Sequence, residues 1–477
     1  MLKDYDITIG LEVHAQLDTE TKIFCSCSTE FGAEPNTHTC PVCLGMPGVL
    51  PVLNKQAVEY AIKAGLALNC EITDFSKFDR KNYFYPDLPK AYQISQFDLP
   101  LCEEGYIDVM TDEESVRIGI NRIHMEEDAG KLIHAQGGES LVDYNRGGTP
   151  LIEIVTEPDI TSPIQATAYL KKLKNILEYL EVSDCNMAEG SLRCDANISL
   201  KPKGQSELGV KTELKNMNSF KAIEKALTYE IKRQRKLLKE GGKVVQETRT
   251  WDDEVEKTFS MRSKEEAHDY RYFPEPDLVP LEVDEAWLQE IKEEIPELPK
   301  ARRERFVNEL GLPEYDAEVL TDSKSIADFF EAVLEEYDDP KTVSNWMMGD
   351  MLRLLNEEEL EIEEIKIEPV ELAQMLKLMD DGTISSKIAK TVFEEMFNTG
   401  KKPETIVEEK GLKQISDSSE LEGIIEEVLA ENQSAVEDYQ AGNENVIGFL
   451  VGQTMQATQG KANPQLVNEI LRKKLAD

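Results

Sequence analysis

Apolar and polar residues alternate in the first recognisable element of the chain, "ITIGLEVHAQL" at positions 7–17. The apolar residues take the odd positions and predict a β-strand, while Glu12 and His14 take even positions. Successive side chains of a strand point to opposite faces of its sheet, so Glu12 and His14 share one face. The pattern alone leaves open whether that face is solvated or forms part of a metal site.

Two later segments alternate in the same way. In "SLRCDANISLKP" (191–202), Leu192 opens the apolar face and Arg193 the polar one. "GVKTELKNMNSF" (209–220) has an apolar side that begins at Val210, and its opposite face is charged. The charged side chains predicted to share a face in these two segments are Arg193, Asp195, Lys211, Glu213 and Lys215. Turn residues between such short strands predict a mostly antiparallel sheet.

Helical periodicity interrupts the strands and then replaces them. Apolar residues recur at helical spacing in 162–180 and 218–242, and the second run stops at two glycines. From the prolines at 296 and 299 onward the chain reads as helical, including 418–432 and 463–475. We therefore expect an α+β fold followed by all-α domains, with domains at 1–294, 295–400 and 401–477.

The charge and composition of the chain limit the classes of function that it can have. The chain has 477 residues and a formal net charge of -40, whereas a general nucleic-acid-binding protein is usually basic. The N-terminus lacks the basic and apolar regions of a signal peptide, and we find no apolar run of the ~18 residues that a membrane span needs. We expect a soluble, cytoplasmic protein that does not enter a membrane.

Four of the eight cysteines cluster in "CSCSTEFGAEPNTHTCPVC". Two close pairs separated by a loop are typical of tetrahedral zinc coordination, and four thiolates would make the site structural. The alternative is a set of buried free cysteines. The predicted zinc ligands are Cys25, Cys27, Cys40 and Cys43.

Acidic residues occur in three segments that also carry apolar residues. "GLEVHAQL" carries Glu12 and His14, "NRIHMEEDAGK" carries His124 and residues 126–128, and "GTPLIEIVTEPD" carries Glu153 among branched apolar residues. A carboxylate is costly to bury unless a partner compensates it, and oxygen ligands with an imidazole suit Mg²⁺ or Mn²⁺. A solvated sheet face and an ordinary acidic turn are the alternative.

Basic and aromatic side chains complete the candidate chemistry. Basic groups near carboxylates can bind phosphate oxygens, but taken alone these residues fit cross-strand ion pairing slightly better. The chain has neither GxxxxGK[ST] nor GxGxxG, so a P-loop does not hold ATP. In "KFDRKNYFYPDLPKAYQISQ" (77–96), tyrosines interleaved with basic residues can stack on an unpaired base, or can simply pack in a core. The residues concerned are Tyr83, Tyr85, Tyr92 and Arg146, together with Arg193, Asp195, Lys211 and Lys215.

In this order the segments resemble the B subunits of aspartyl/glutamyl-tRNA amidotransferases. The resemblance rests on "IGLEVHAQL", "KFDRKNYFYPDLPKAYQISQ", "HMEEDAGK", "DYNRGGTPLIEIVTEPDI", "EGSLRCDANIS", "ELKNMNSF" and "DYRYFPEPDL". It continues through "DGTISSKIAK" to "GFLVGQTMQATQGKANPQLVN" and so spans nearly the whole chain.

The resemblance implies a glutamine-synthetase-like cradle, a helical domain and a tRNA-binding helical tail. It implies ATP-dependent amidation of Glu-tRNA(Gln) or Asp-tRNA(Asn) through an acyl phosphate. Ammonia would come from a separate glutaminase subunit, with a small third subunit completing a heterotrimer. By resemblance, His14 and Glu127 are the best-supported Mg²⁺ ligands, with Glu12 and Glu153 beside them and Glu126 a weaker candidate. Arg193, Asp195, Lys211 and Lys215 are candidates for ATP or phosphate contacts.

Two other functions compete with this one. A free-standing ligase related to glutamine synthetase would act on a small amino acid, but it has no need for a long helical C-terminal half. A non-enzymatic, zinc-stapled scaffold would only bind tRNA or partner chains, and substitutions at His14 or Glu127 would then leave ATP cleavage intact.

Overall fold

The chain divides into two units by its internal contacts. A computed structural model describes residues 4–111, 114–134, 139–263, 270–358, 360–415, 418–443, 445–458 and 461–476. The first unit ends at Pro299 and the second begins at Lys300. The domain boundaries expected near 294 and 400 remain predictions.

All of the named strands lie in the first unit. Over the described residues they are β1 (Tyr5–Gln16), β2 (Glu71–Ile72), β3 (Phe75–Ser76), β4 (Asp79–Asn82), β5 (Tyr92–Ser95), β6 (Cys102–Met110), β7 (Ser115–Glu127), β8 (Lys131–His134), β9 (Ser140–Asp143), β10 (Pro150–Thr156), β11 (Leu192–Pro202), β12 (Thr212–Lys215), β13 (Glu247–Asp252), β14 (Lys257–Ser263), β15 (Phe273–Pro274) and β16 (Leu281–Glu282). The helices of this unit are α1 (Lys55–Ala67), α2 (Pro163–Tyr179), α3 (Phe220–Lys239) and α4 (Glu285–Glu293).

Nine strands form the main sheet in the described part of the chain, in the order β14-β13-β12-β11-β1-β10-β7-β6-β2. Neighbouring strands run antiparallel except β12 and β13, which are parallel. The α+β class with a mostly antiparallel sheet is therefore confirmed. Strand β1 lies at the centre, between β10 and β11. Small sheets of two or three strands pair β15-β4-β5, β16-β3 and β8-β9.

One face of the main sheet forms the core. The odd-numbered residues of β1 are buried, from Ile9 to Ala15, and they join a cluster that includes the apolar faces of α1, α2 and α3. Strand β11 alternates buried and partly buried residues as its sequence predicts. Strand β12 is shorter than expected, because Val210 and Lys211 lie before it and are exposed. The helices leave the opposite face of β1, which carries Glu12 and His14, free for other contacts.

The helices begin at capping residues that the sequence contains. The side chain of Ser162 accepts the backbone N–H of Gln165 at the start of α2, and that of Ser219 accepts the N–H of Ala222 at the start of α3. Helix α3 ends before Gly241, whose positive φ of 77° suits a helix end. Both predicted helices are confirmed.

The second unit is helical in its described residues. Its helices are α5 (Pro299–Asn308), α6 (Glu314–Thr321), α7 (Lys324–Leu334), α8 (Pro340–Trp346), α9 (Leu352–Glu358), α10 (Pro369–Asp380), α11 (Ser386–Thr399), α12 (Pro403–Glu409), α13 (Ser418–Glu431), α14 (Gln433–Gln440), α15 (Val446–Ala457) and α16 (Pro464–Ala476). A π-helix at Met347–Met351 and a 3-10 turn at Ile362–Glu364 join some of them.

Two hydrophobic cores lie within this second unit. One runs from Phe306 to Val407 and includes α12, and the other runs from Leu421 to Leu475. The Asn463 side chain caps α16 by accepting backbone N–H groups, as the sequence predicts. None of the helices described here has the length and apolar character needed to cross a membrane.

Candidate functional site

Side chains from three adjacent strands meet on the open face of the main sheet. His14 of β1 lies opposite Glu153 of β10, and Glu153 lies opposite His124 of β7. Because side chains two residues apart on a strand share a face, Glu126 joins them from β7. The His14 Nε2 atom is 3.2 Å from Glu153 Oε2 and 3.6 Å from Glu126 Oε1, and His124 Nε2 is 3.4 Å from Glu153 Oε2.

The two carboxylates of the cluster are buried, whereas the His14 side chain keeps 20 % exposure. Glu126 is 2 % exposed and Glu153 is 8 % exposed. Burial would raise the pKa of Glu153, but hydrogen bonds from His124 and His14 outweigh it and hold that pKa well below its usual range. Burial would lower the pKa of His124, yet hydrogen bonds to Glu126 and Glu153 raise it to about 9. Burial would likewise raise the pKa of Glu126, but a hydrogen bond with His124 and the charge of Lys81 lower it.

Three of these side chains fit a divalent cation. One ligand atom each from His14, Glu126 and Glu153 lies within 4.8 Å of the other two. Ligand atoms that converge in this way from three strands can bind one cation together. Two carboxylates and an imidazole are a donor set for Mg²⁺ or Mn²⁺.

Two of the four predicted cation ligands lie outside this group. Glu127 points to the other face of β7, where Lys90 Nζ donates to its Oε2 at 2.6 Å and the Ile94 N–H donates to its Oε1 at 2.8 Å. Glu12 shares the face of His14 but accepts a hydrogen bond from Asn197 Nδ2 at 2.8 Å. A metal role for Glu12 and Glu127 remains a prediction.

The alternation of "HMEED" is the signal that separates Glu126 from Glu127. The apolar Met125 is fully buried with the core, so its neighbours on either side must point to the opposite face. That reasoning selects His124 and Glu126. No comparable signal in the sequence relates Lys90 to Glu127. The two residues are distant in sequence, and only the position of β5 in the fold brings them together.

Basic residues border the cluster along β11 and the loop before β10. Arg193 lies opposite His14 in register, and its Nη2 is 2.9 Å from Asp128 Oδ2. Arg146 donates to the backbone oxygens of Ala129 and Gly130. Arg193 therefore lies at the edge of the cluster, where its side chain keeps 34 % exposure.

The remaining basic candidates divide between strand and loop. Lys215 forms ion pairs with Asp195 and, at 3.2 Å, with Glu213. Lys211 is exposed and lies outside β12. The structure therefore places Asp195 and Lys215 together on the open face and leaves Lys211 apart from them.

The aromatic segment forms one wall beside the small sheet of β4 and β5. Tyr83 contacts Tyr270 edge to face, with ring centroids 5.8 Å apart, and Tyr92 lies 4.3 Å from the Arg80 guanidinium. Tyr85 is 54 % exposed. Phe84, which belongs to the same predicted aromatic segment, is 89 % exposed. The stacked pair Phe97 and Tyr272 lies outside that segment and was not predicted from the sequence.

The four predicted zinc ligands come together. The sulfur atoms of Cys25, Cys27, Cys40 and Cys43 all lie within 4.8 Å of one another. The backbone N–H of Cys40 donates to Cys43 Sγ at 3.2 Å. A hydrogen bond with Cys25, together with the charge of Lys22, lowers the pKa of Cys43 to about 4. Four converging sulfurs with one ready thiolate fit a tetrahedral metal centre.

A small cavity separates this cysteine cluster from the Glu127 ion pair. It encloses about 110 Å³, and its lining includes Cys25, Cys43, Lys22, Lys90 and Glu127. The cysteine cluster and the Lys90–Glu127 pair thus share one enclosed space.

Family models and known proteins match this chain over most of its length. Residues 7–289 match the family model described as the GatB/GatE catalytic domain, and residues 328–475 match the GatB domain. The B subunit of the aspartyl/glutamyl-tRNA(Asn/Gln) amidotransferase of Thermoanaerobacter pseudethanolicus is 64 % identical over 472 residues, which cover 99 % of each chain. The protein of the same description from Carboxydothermus hydrogenoformans is 61 % identical over 480 residues and 100 % of each chain. The resemblance seen in the sequence is confirmed, and the chain belongs to the family of aspartyl/glutamyl-tRNA(Asn/Gln) amidotransferase B subunits.

Proposed function

We propose that this chain is the ligase subunit of a tRNA-dependent amidotransferase. It converts Glu-tRNA(Gln), Asp-tRNA(Asn) or both to the corresponding amides at the expense of ATP. The observation that carries this proposal is the buried His14, Glu126 and Glu153 cluster in a chain that belongs to this family over nearly its full length. Two carboxylates and an imidazole that converge in this way are a donor set for a divalent cation.

The reaction proceeds in two displacements. An oxygen of the aminoacyl side-chain carboxylate attacks the γ-phosphorus of ATP, ADP leaves, and an acyl phosphate forms. Ammonia then attacks the acyl carbon, inorganic phosphate leaves, and the amine loses a proton. Carboxylates resist direct amidation because they are anionic and their oxygen leaves poorly, so phosphorylation supplies the leaving group.

The residues of this face have distinct roles in the first displacement. His14, Glu126 and Glu153 would hold Mg²⁺, which when bound neutralises phosphate charge. Arg193 is oriented by Asp128 and keeps enough exposure to reach a phosphate oxygen.

The other polar candidates lie further from the cation cluster. Asp195 is on β11, the strand next to β1, and Lys215 is on β12, one strand beyond it. Their ion pair on the open face provides a second polar contact for the nucleotide. Lys211 is exposed and could contribute only from outside the strand.

The aromatic wall suits the 3′ end of the tRNA. The exposed Tyr85 offers a face for stacking on an unpaired base. Tyr83 and Tyr92 are held by Tyr270 and Arg80 and would shape the wall rather than stack freely. Arg146 fixes the adjacent loop through its two backbone contacts.

Zinc at the four cysteines would be structural. The four sulfurs occupy all positions of a tetrahedral centre, so none is left for a substrate. The site would tie the chain near Cys25 to the turn at Cys40 in a segment without long strands or helices.

Membership of the family supports the proposed partners. A separate glutaminase subunit would deliver ammonia, and a small third subunit would complete a cytoplasmic heterotrimer. A cradle formed by residues 1–294 would hold the reacting groups, residues 295–400 would form a helical domain, and residues 401–477 would form a tail that contacts tRNA. The exposed Arg472 and Lys473 of α16 offer local positive charge there despite the overall charge of -40.

The direct test is ATP cleavage that depends on misacylated tRNA, measured in the reconstituted heterotrimer. His14→Ala should reduce it by at least about a hundredfold, since one donor of the cation site is lost. His38→Ala is the matched control, because His38 is not one of the side chains that converge in the cluster. Near-wild-type cleavage by His14→Ala would refute the proposal and favour a scaffold that only binds.

A further inference from the structure

Lys22 is a buried lysine without a carboxylate partner. It is 1 % exposed. Within the described residues no carboxylate oxygen lies within 4.0 Å of its Nζ atom, which instead donates to the backbone oxygen of Tyr144 at 3.1 Å and to Cys43 Sγ at 3.8 Å. Burying an ammonium group is costly unless a counter-charge compensates it. A carbonyl oxygen is neutral, so the nearby sulfur is the available counter-charge.

The backbone of Lys22 is joined to the other half of the cysteine cluster. Its N–H donates to the carbonyl oxygen of Cys27 at 3.0 Å. The side chain reaches Cys43, so one residue connects both cysteine pairs.

Gly148 closes the space around this contact. Its φ is +88°, and a Cβ placed there would lie 3.4 Å from Lys22 Cδ and 3.7 Å from Cys43 Cβ. Gly148, in the loop before β10, therefore lies beside both the lysine stem and the cysteine.

We propose that Lys22 is the counter-charge of the metal centre formed by Cys25, Cys27, Cys40 and Cys43. Four thiolates around a divalent cation carry a formal charge of about -2, which is unfavourable in a partly buried site. The Lys22 ammonium offsets part of that charge and hydrogen-bonds to Cys43, so it strengthens metal binding without being a ligand. This inference rests on the zinc site proposed above.

The test measures metal affinity in the full-length reduced chain by competition with a chelator, using Zn²⁺ and Co²⁺. Lys22→Gln removes the charge but keeps an N–H donor for Tyr144, and Lys22→Met removes both. Each should weaken binding by roughly tenfold to a hundredfold. Lys63→Met is the matched control: it removes a charge from a lysine with 14 % side-chain exposure that pairs with Glu294 instead, and the affinity should not change.

A second measurement separates charge compensation from ordinary packing. Zinc should raise the melting temperature of the wild-type chain more than that of Lys22→Gln, because tighter binding stabilises the folded state more. If Lys22 contributes only packing, Lys22→Gln melts below the wild type by the same amount with and without zinc. The rise in melting temperature on adding zinc is then the same in both proteins, and that result would overturn the inference.

The two proposals fail differently. Absence of thiolate-to-cobalt charge-transfer absorption in the wild-type chain would refute the zinc site and this inference with it. A normal cobalt spectrum, combined with wild-type affinity in Lys22→Gln, would refute the role of Lys22 alone.

Discussion

Glu126 and Glu127 are neighbours in sequence, yet the structure predicts opposite consequences for replacing them with glutamine. Glu126 lies with His14 and Glu153, whereas Glu127 lies on the other face of β7 with Lys90. Glu126→Gln should weaken the binding of Mn²⁺, used as a probe for Mg²⁺. Glu127→Gln should leave Mn²⁺ binding near that of the wild type but lower the thermal stability.

The magnitudes follow from the contacts. Losing a group that only orients a ligand costs tenfold to a hundredfold in metal affinity, so losing a donor should cost at least about a hundredfold, or ~2.7 kcal/mol. In the Glu127 pair the lysine side chain is 9 % exposed and the carboxylate 5 % exposed. Removing one partner of such a buried pair costs about 3 kcal/mol or more. In a unit of this size that corresponds to a fall in melting temperature of roughly 6 °C.

The assays are Mn²⁺ titration followed by electron paramagnetic resonance and thermal unfolding followed by circular dichroism. Each variant serves as the matched control for the other, since both exchange one buried carboxylate for an amide on the same strand. A hundredfold loss of Mn²⁺ affinity in Glu127→Gln, with wild-type affinity in Glu126→Gln, would contradict this assignment. That result would return Glu127 to the metal site that the sequence resemblance implies.

Three further predictions concern other parts of the chain. Deletion of residues 418–477 removes the last hydrophobic core but keeps α12. It should lower kcat/KM for misacylated tRNA by at least about tenfold while Mn²⁺ binding persists, and unchanged kinetics would contradict a tRNA-binding tail. Elemental analysis of the reduced wild-type chain should give one equivalent of zinc, which Cys40→Ser should lose and Cys70→Ala should retain. Burial would raise the pKa of Glu331, but hydrogen bonds from Arg305 and Arg302 lower it below 4.5. The Glu331 carboxylate therefore stabilises the fold above pH 4.5, and this contribution is lost as the pH falls through the lowered pKa. Arg302→Met should therefore lower the free energy of unfolding by about 1 kcal/mol at pH 7, since solvent screening limits the effect. In urea unfolding experiments the difference from wild type should shrink below pH 4.5, and a difference that grows in acid would contradict this.

Local sequence patterns were sufficient for the elements with clear periodicity. Strand β11 and helices α2, α3 and α16 lie where alternation, helical spacing and capping residues predict them. The pattern failed at Val210 and Lys211: β11 continues beyond Ile198 to Pro202, yet its pairing with β12 begins only at Thr212, and alternation alone does not show where a pairing starts.

The cysteine cluster and the carboxylate cluster differ in how far sequence could go. The spacing of the four cysteines predicts their convergence, since each pair is held by a short turn. The carboxylate cluster instead depends on the register between β1, β10 and β7, which brings His14 opposite Glu153 and Glu153 opposite His124. A shift of one residue in either pairing would move a side chain to the other face.

The sequence by itself determined the family, the α+β class and the residue types available for cation, phosphate and thiolate chemistry. Only the tertiary structure decided that Glu126 rather than Glu127 lies with His14 and Glu153, and that Lys22 lies against Cys43. The physical reason is that local patterns report which face a side chain takes, whereas its partner is set by strand register and loop packing over long distances in sequence. For Lys22 that partner lies 21 residues away, and for Glu127 it lies 37 residues away.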